Sequence, residues 1–331
     1  MNVFITGEQG LIAQNIIKEA KENFKNIKII TGAVDYLNMH QPCEPCVYKN
    51  SIDQWEFFFR LNKIDVIIHN AAVVNTEVVG MNLERATRTN DEGTYKICMA
   101  AQKCNIPVCY MGTTVIYDAF KYQNEKITEK SDYGPHTLYG CQKLAAEYIV
   151  KSHAPKWMII RPLFAYGGEG DMNSLIAKSI YACLTNKKVE MRLNPRKFKD
   201  YMYVSDYANA VLTGITQGLW NDEWNIAAET PLETWEIIET IENVCMLDMS
   251  DTITWKPKSD YTGNHRLDSS KFRKATGWEP KITLIEGIKM SYETIIRSKD
   301  YNPLVHLEEA KQKNINVGEF FNEARIARKS I

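Results

Sequence analysis

The sequence lacks the features that would place a protein in a membrane, on nucleic acid or outside the cell. None of its apolar runs approaches the length of a membrane-spanning helix, and the N-terminus, Met1-Asn2-Val3, has no basic region of the secretory type. Lys and Arg (40) nearly balance Asp and Glu (41), and no basic tract stands out. We therefore expect no membrane partner, no nucleic acid partner and a cytoplasmic location.

The cysteines give little sign of a metal or disulfide site. Six of the eight are scattered through segments of helical or strand character, and two form Cys43-Glu44-Pro45-Cys46. A zinc site would need a second CxxC, or a CxxH, at ligand spacing, and the sequence has neither. We expect reduced thiols and no metal, and the role of Cys43 and Cys46 stays open.

Short apolar runs alternate with segments of helical periodicity through the first half of the chain. After the run at 3–6, for example, Ile12, Ile16 and Ala20 recur at helical spacing. Such alternation predicts an α/β fold, a parallel sheet with helices on both faces. The predicted strands are 3–6, 27–30, 65–69, 108–111 and 157–161, with helical segments near 84–104 and 139–153.

The rhythm becomes less regular after about residue 165. We expect residues 1–165, together with about 199–222, to form the sheet domain. About 166–198 and 223–300 would form a smaller mixed α/β lobe, and the charged segment 301–331 a helical extension.

A glycine turn, Gly7-Glu8-Gln9-Gly10, joins the first predicted strand to the first helix. Glycines allow close backbone approach and the amides of a helix start attract anions, so the turn could hold the pyrophosphate of a dinucleotide. Gln9, Gly10, Leu11 and Ile12 would then contact the cofactor. The spacing G-x-x-G-x-x-A also suits an ordinary tight turn, so the turn alone does not decide.

The second predicted strand ends without an acidic residue. An Asp or Glu there would bind the adenine ribose and exclude a 2′-phosphate, but Thr31-Gly32 occupies the place. No Arg or Lys lies between residues 32 and 48 to hold such a phosphate. The sequence therefore leaves both NAD and NADP open.

Tyr139 and Lys143 stand four residues apart on a predicted helix and so share one face. An ammonium beside a phenol lowers the phenol pKa from about 10, which predicts a pair able to move a proton on a carbinol or ketone. Thr113 follows a predicted strand 26 residues earlier, where a parallel sheet presents its active site. A YxxxK pair is common by chance, and its place after Thr113 is what favours catalysis.

Taken in order, these features resemble the extended short-chain dehydrogenase/reductases, and within them the nucleotide-sugar epimerases and dehydratases, over about residues 1–297. The resemblance implies a Rossmann-type doubly wound sheet with a smaller substrate lobe, a nicotinamide cofactor (NAD slightly favoured over NADP), a nucleotide-diphosphate sugar as ligand, and a homodimer. Further matching motifs are His69-Asn70-Ala71-Ala72, Asn90-Asp91-Glu92-Gly93-Thr94, Arg161-Pro162 leading to Tyr166-Gly167, Lys199 followed by Asp200-Tyr201-Met202-Tyr203-Val204-Ser205-Asp206, Asn225-Ile226-Ala227, Asp268-Ser269-Ser270-Lys271 and Gly277-Trp278-Glu279-Pro280.

The resemblance also implies roles for single residues. Thr113, Tyr139 and Lys143 would be catalytic, with Lys143 also holding the cofactor ribose. Besides the glycine turn and the Tyr139/Lys143 pair, the cofactor would be contacted by Thr31, Ser51, Ile52, Asn70, Ala71, Ala72, Asn90, Arg161 and Pro162. The substrate would be contacted by Thr114, Val115, Phe164, Lys199 and Lys258 (or Lys256), the lysines neutralising its diphosphate as point charges.

Two departures from the family pattern narrow the implied reaction. Thr114-Val115 stands where 4,6-dehydratases carry the Asp-Glu that serves C5 and C6, and Val115 stands where the GDP-fucose synthase type has a Cys. Redox chemistry at one carbon remains, and our first hypothesis is a 4-epimerase that works through a 4-keto intermediate. The alternatives are a 4-keto-sugar reductase that consumes NAD(P)H and a cofactor-binding homologue without catalysis.

Dimers of the family often pair the helix that carries the Tyr with the helix before it. Apolar residues near Ile97, Ala100, Ala101, Leu144 and Tyr148 would suit such pairing. They would equally suit burial within one subunit.

Overall fold

A six-stranded parallel sheet is the centre of the computed structural model, which describes residues 1–31, 47–74, 79–80, 82–171, 174–256, 263–264 and 266–297. The strands of the described chain are β1 (Asn2–Thr6), β2 (Lys28–Ile30), β3 (Val66–His69), β4 (Val108–Met111), β5 (Trp157–Pro162), β6 (Phe164–Tyr166), β7 (Val189–Met191), β8 (Phe198–Lys199), β9 (Tyr201–Tyr203), β10 (Asp222–Ile226), β11 (Leu232–Glu233) and β12 (Ile253–Trp255). The helices are α1 (Leu11–Asn23), α2 (Ile52–Leu61), α3 (Leu83–Thr87), α4 (Gly93–Cys104), α5 (Leu138–His153), α6 (Leu175–Leu184), α7 (Val204–Gln217), α8 (Thr234–Cys245), α9 (Ser270–Thr276) and α10 (Leu284–Arg297).

The strand order of the main sheet is β10-β5-β4-β3-β1-β2, and every neighbouring pair is parallel. The chain runs from β1 to β2 on one side and then crosses to β3 on the other, so the order reverses between β1 and β3. Ligands of open α/β sheets bind at the carboxyl ends of the strands beside such a reversal. The predicted doubly wound α/β class is confirmed, and the segments after β1, β3 and β4 share this edge.

Alternate residues of the inner strands pack into two different cores, which explains their continuous apolar runs. In β1, Val3 and Ile5 face a core shared with α1 and α7, whereas Phe4 faces Trp55 and Phe59 of α2. The same alternation sends Ile68 of β3 to one core and its neighbour Ile67 to the other. The central strands are therefore covered on both faces.

A second apolar core lies in the smaller lobe, where α6, α8 and α10 pack together around residues such as Ile180, Ile241 and Ile288. The chain does not leave the main domain at residue 222 as expected, because β10 pairs with β5 through Ile226. Phe272 and Trp278 also join the main core, against Trp224. The expected lobe segment 223–300 is thus divided between the two parts of the fold.

Local structure departs from the periodicity at a few points. The predicted helical segment near 84–104 is interrupted by a π-helical turn at Arg88–Glu92, called here the π turn. The amphipathic helices α2 and α10 are additional to the helices that the periodicity indicated. Within the described ranges, the helices are all too short or too polar to cross a membrane.

Candidate active site

The glycine turn after β1 is shaped by close approach to the segment after β3. Gly7 has φ +68°, and a Cβ at this position would lie 2.8 Å from the Cα of Ala71. Gly10 donates from its amide to the Gly7 carbonyl at 2.9 Å and forms the N-cap of α1. Because Gly10 has no side chain to cap the helix, the amides of the first turn, at Leu11 and Ile12, are left for an anion.

A buried hydrogen-bond chain ties this turn to the neighbouring strand. Thr6 Oγ1 accepts from the amides of Asn70 (3.1 Å) and Ala71 (3.0 Å), so its proton goes to His69 Nδ1 at 2.8 Å. Thr94 Oγ1 donates to a carbonyl of the π turn, so His69 Nε2 donates to Thr94 at 2.9 Å. Burial, aided by Lys143, lowers the pKa of His69 to about 3 and keeps the ring neutral. The predicted Asn70-Ala71-Ala72 segment therefore lies against the glycine turn.

Asn90 links the same region to the helix that carries Tyr139. Its side chain accepts from the amide of Val73 at 2.7 Å and donates to the Val73 carbonyl at 3.1 Å. It also donates to Gln142 Oε1 at 3.0 Å, and Gln142 in turn donates to Thr87 at 3.2 Å. Through these hydrogen bonds, the buried Asn90 amide connects α5 to the segment that follows β3 and holds the two in place.

Thr113 and Tyr139 are brought together by a hydrogen bond between their side chains. Thr113 follows β4, and its side chain also accepts from the amide of Val115 at 3.4 Å. Tyr139 lies in the first turn of α5, which begins at this point because Thr137 caps the helix by accepting from the Gly140 amide at 3.0 Å. The hydroxyls of Thr113 and Tyr139 thus lie next to each other at the carboxyl edge of the sheet.

Lys143 lies one helical turn beyond Tyr139 and is buried. Its ammonium donates to the Met111 carbonyl at 2.5 Å and lies 4.0 Å from the centroid of the Tyr110 ring. Burial lowers the pKa of Lys143 to about 7, although Glu147 and Asp91 oppose that shift. The side chain therefore titrates near neutrality.

The expectation that Lys143 lowers the pKa of Tyr139 is wrong. Burial raises the pKa of Tyr139 to about 12, and the hydrogen bond with Thr113 lowers it only in part. Lys143 has little effect because its ammonium is turned towards Met111 and is itself partly deprotonated near neutral pH.

Arg161 occupies a different environment from the cofactor contact that was expected. Its fully buried guanidinium donates from Nε and Nη2 to Glu147 (3.1 and 2.7 Å), from Nη1 to Tyr117 (2.5 Å) and from Nη2 to Tyr133 (2.9 Å). The guanidinium donors are therefore used in hydrogen bonds to other side chains of the protein. Pro162 is the buried last residue of β5, paired in register with Ile226.

The residues after Thr113 form a 3₁₀ turn, Thr114–Ile116. Thr114 is buried, and its hydroxyl has no hydrogen-bond partner within the described residues. Val115 is half-buried, and its carbonyl would lie 2.8 Å from a Cβ at Gly140 on the catalytic helix. This packing brings the segment of Thr114 and Val115 against the start of α5.

Phe164 and Lys199, both predicted to contact substrate, are brought together by the pairing of β6 with β9. The Phe164 ring stacks on Tyr201 at 5.2 Å, and the Lys199 ammonium lies 5.5 Å from the Phe164 centroid. Lys199 is buried and also donates to the Gly263 carbonyl at 3.4 Å. It is therefore an enclosed cation and not a solvated surface lysine.

The other predicted contacts are more dispersed. Ser51 is the N-cap of α2 and accepts from the Gln54 amide at 3.2 Å, so a capping role accounts for it; Ile52 is the half-buried first residue of that helix. Thr31 is exposed just after β2. Lys256 forms a surface salt bridge with Glu190. Lys258, Gly32, Cys43, Cys46 and the segment 301–331 lie outside the described residues.

Sequence reasoning missed three groups near the site. Glu147 continues the Tyr139–Lys143 spacing by four more residues, so helical periodicity could have placed it on the same face. Asp91 lies inside the motif that was recognised through Asn90. Arg266, whose guanidinium lies 3.9 Å from the Phe198 centroid beside Lys199, stands two residues before the Asp268 motif.

Comparison with known proteins identifies the family of the chain. The sequence model of the NAD dependent epimerase/dehydratase family matches residues 3–227. The chain belongs to this family. A dTDP-D-glucose 4,6-dehydratase from Mus musculus is 24% identical over 317 residues, covering 88% of this chain and 87% of the relative.

Two solved structures are similar in fold. A UDP-glucose 4-epimerase from Thermotoga maritima, solved with UDP-glucose, has a TM-score of 0.75 and 22% identity, covering 89% of this chain and 98% of the other. A dTDP-4-dehydrorhamnose reductase from Clostridium acetobutylicum has a TM-score of 0.73 and 20% identity, covering 89% and 99%. The family therefore consists of NAD(P)-dependent enzymes of nucleotide-sugar modification, and within it these relatives differ in their reactions.

The residues present fit a nicotinamide dinucleotide. Gly7 and Gly10 offer a turn without side chains, and the uncapped start of α1 offers amides to a pyrophosphate. Tyr139 and Lys143 lie at the carboxyl edge of the same sheet, where a nicotinamide ribose would be held. Such a cofactor supplies hydride acceptance and donation when it is bound.

Proposed function

We propose that this protein is a nucleotide-sugar 4-epimerase that uses a tightly held NAD or NADP. The observation that carries the proposal is the hydrogen-bonded pair Thr113–Tyr139, followed by Thr114 and Val115 in place of acidic residues. The pair can hold and deprotonate one hydroxyl. Without acids beside it, the turn has no group to move protons at neighbouring carbons.

The chain's own residues perform three tasks in this proposal. Tyr139 takes the proton of the C4 hydroxyl as the carbinol hydrogen leaves as hydride, and returns a proton when the 4-ketose is reduced on its other face. Thr113 holds the oxygen. Lys143 holds the ribose of the cofactor.

Substrate recognition in this proposal depends on the lobe side of the site. The buried Lys199 supplies a positive charge beside the Phe164 ring, and Arg266 supplies a guanidinium on the Phe198 ring. A diphosphate needs cations, and an arginine offers a planar pair of donors that a lysine does not. These groups support a nucleotide-diphosphate sugar as the ligand.

The decisive experiment is turnover in D₂O without added cofactor. UDP, dTDP, GDP and CDP forms of glucose and galactose are incubated with the purified enzyme and followed by NMR. A 4-epimerase inverts C4 and incorporates no deuterium into carbon, whereas a 4,6-dehydratase takes solvent deuterium at C5. Conversion of a 4-keto sugar only when NAD(P)H is added would favour a reductase and contradict the proposal.

Variants of one helix test the catalytic assignment. Tyr139→Phe should lower kcat/KM on the order of 10²-fold or more, because it removes the acid–base group. Tyr148→Phe, an exposed tyrosine of α5, is the matched control and should leave turnover unchanged. Turnover by Tyr139→Phe equal to that of the control would contradict the assignment.

We also propose a homodimer that pairs the outer faces of α4 and α5. Ile97, Ala100 and Ala101 are buried within the subunit, so they cannot form the interface. The exposed Tyr95 and Tyr148 offer an apolar surface on these helices. Sizing in solution tests the proposal, and Tyr148→Glu should shift a dimer towards monomer.

A further inference from the structure

Asp91 places a carboxylate beside the catalytic helix, in the π turn that packs on α5. Its neighbour Asn90 is fixed to Gln142 at 3.0 Å, and Gln142 directly precedes Lys143. The Oδ1 atom of Asp91 is buried and has no hydrogen-bond partner among the residues that the structure describes. A buried, unsatisfied carboxylate oxygen in a native fold calls for an explanation.

The charges around Lys143 supply that explanation. The groups that face it are Glu147 and Tyr139 on its own helix, Asp91 on the π turn, Tyr110 on β4 and His69 on β3. His69 is neutral, and the carboxylate of Glu147 is already forked onto Arg161. Of the two carboxylates near Lys143, Glu147 is hydrogen-bonded to Arg161, whereas Asp91 has a buried oxygen without a hydrogen-bond partner among the described residues.

We propose that Asp91 is a positioning residue that favours the ammonium form of the Lys143 side chain, the form that donates to the ribose of the cofactor. Burial disfavours the charged amine, and a nearby negative charge offsets that effect. Burial raises the pKa of Asp91 itself to about 6, against the pull of Lys143. Above neutrality, where Lys143 titrates, Asp91 is thus ionised. The inference rests on the cofactor part of the proposed function and not on epimerisation.

The test is the affinity for NADH, and for NADPH in parallel, measured by fluorescence between pH 6 and 10. Cofactor binding by the wild type should weaken as pH rises through the pKa of Lys143. This fall in affinity with rising pH is called the alkaline limb. Asp91→Asn should move this alkaline limb to lower pH by about 1 pH unit, so that affinity at pH 8 falls on the order of tenfold. Lys143→Met should abolish the limb.

Two further variants make the result specific. Glu92→Gln removes a negative charge from the same turn, but Glu92 is exposed and pairs with Lys96 at 2.6 Å, so its limb should match the wild type. Asp91→Val removes the charge and the unsatisfied oxygen, and should shift the limb as Asp91→Asn does even if folding stability rises.

The outcomes separate the two proposals. An unmoved limb in both Asp91 variants, an equal shift in Glu92→Gln, or a limb that Lys143→Met does not abolish would each overturn the role of Asp91. A shifted limb in an enzyme that fails to invert C4 would support this role and contradict only the epimerase assignment.

Discussion

Two of the buried cations lie close to one face of α5 and have different surroundings: Lys143 is on that face, and Arg161 is bound to Glu147 one turn further along it. Arg161 is surrounded by acceptors: Glu147 takes two hydrogen bonds, and Tyr117 and Tyr133 take one each. Lys143 has a backbone carbonyl and an aromatic face, and no salt-bridge partner is described for it. Both are almost fully removed from water.

The difference distinguishes Arg161, whose charge stabilises the fold, from Lys143, whose charge can change at the site. Burial opposes the charge of Arg161, but Glu147 outweighs that cost and raises the arginine pKa, so Arg161 is permanently charged. Burial acts on Lys143 with weaker compensation and lowers its pKa to about 7. A buried group whose charge is only partly compensated, and which titrates near neutral pH, is typical of a functional site.

Arg161→Met gives the largest expected effect. It leaves Glu147 buried without a partner, which should lower the free energy of unfolding by about 3–5 kcal/mol. The urea midpoint measures this loss. A urea midpoint within error of the wild type would contradict the assignment of a structural role to Arg161.

Glu147→Gln should cost less, about 2–3 kcal/mol, because the amide still accepts one hydrogen bond from the Arg161 guanidinium. It should also affect the other cation, since Glu147 favours the charged form of Lys143. The alkaline limb of NADH binding should move to lower pH. A loss of stability without that movement would show that the two environments are independent.

Tyr117→Phe should cost about 1–2 kcal/mol. It removes the hydroxyl that accepts from Arg161 and donates to Asn225 at 2.8 Å. Urea unfolding measures the cost, and cofactor affinity should be unchanged because Tyr117 contacts the structural cation only. A change in cofactor affinity would show that the surroundings of Arg161 and of Lys143 are coupled.

Lys143→Met should change stability least, by about 1 kcal/mol or less near pH 10, while weakening cofactor binding strongly. Because the pKa of the folded lysine is about 7, below its usual 10.5, the buried charge costs stability below pH 7. That cost disappears as pH rises towards 10.5. The stability of the wild type relative to Lys143→Met should therefore increase between pH 7 and 10. Urea unfolding of both proteins across that range tests the sign.

Several features of the site could be predicted from the sequence because they depend on local geometry. Gly7 and Gly10 lie in a β–α turn, and this turn adopts the conformation that its glycines permit. Thr113 follows a buried strand, so parallel topology alone places it at the sheet edge. Tyr139 and Lys143 share a helix face at any orientation of that helix.

Other features depended on contacts between distant segments. Ser51 was expected at the cofactor and instead caps α2, a role that also suits serine. The assignment of Arg161 to the cofactor failed to anticipate Glu147, Tyr117 and Tyr133, which come from three other places in the chain. The π turn that brings Asp91 to Lys143 leaves no mark in helical periodicity.

The doubly wound α/β class, the glycine turn and the order of Thr113, Tyr139 and Lys143 follow from neighbouring residues, because these set strand burial, turn conformation and helix spacing. The charge states depend instead on contacts that form only in the folded protein. Burial and the partners of each group fix whether Arg161 stays ionised, whether Lys143 titrates near neutrality and whether the pKa of Tyr139 rises to about 12. Those partners come from strands and turns that the chain brings together only when it folds.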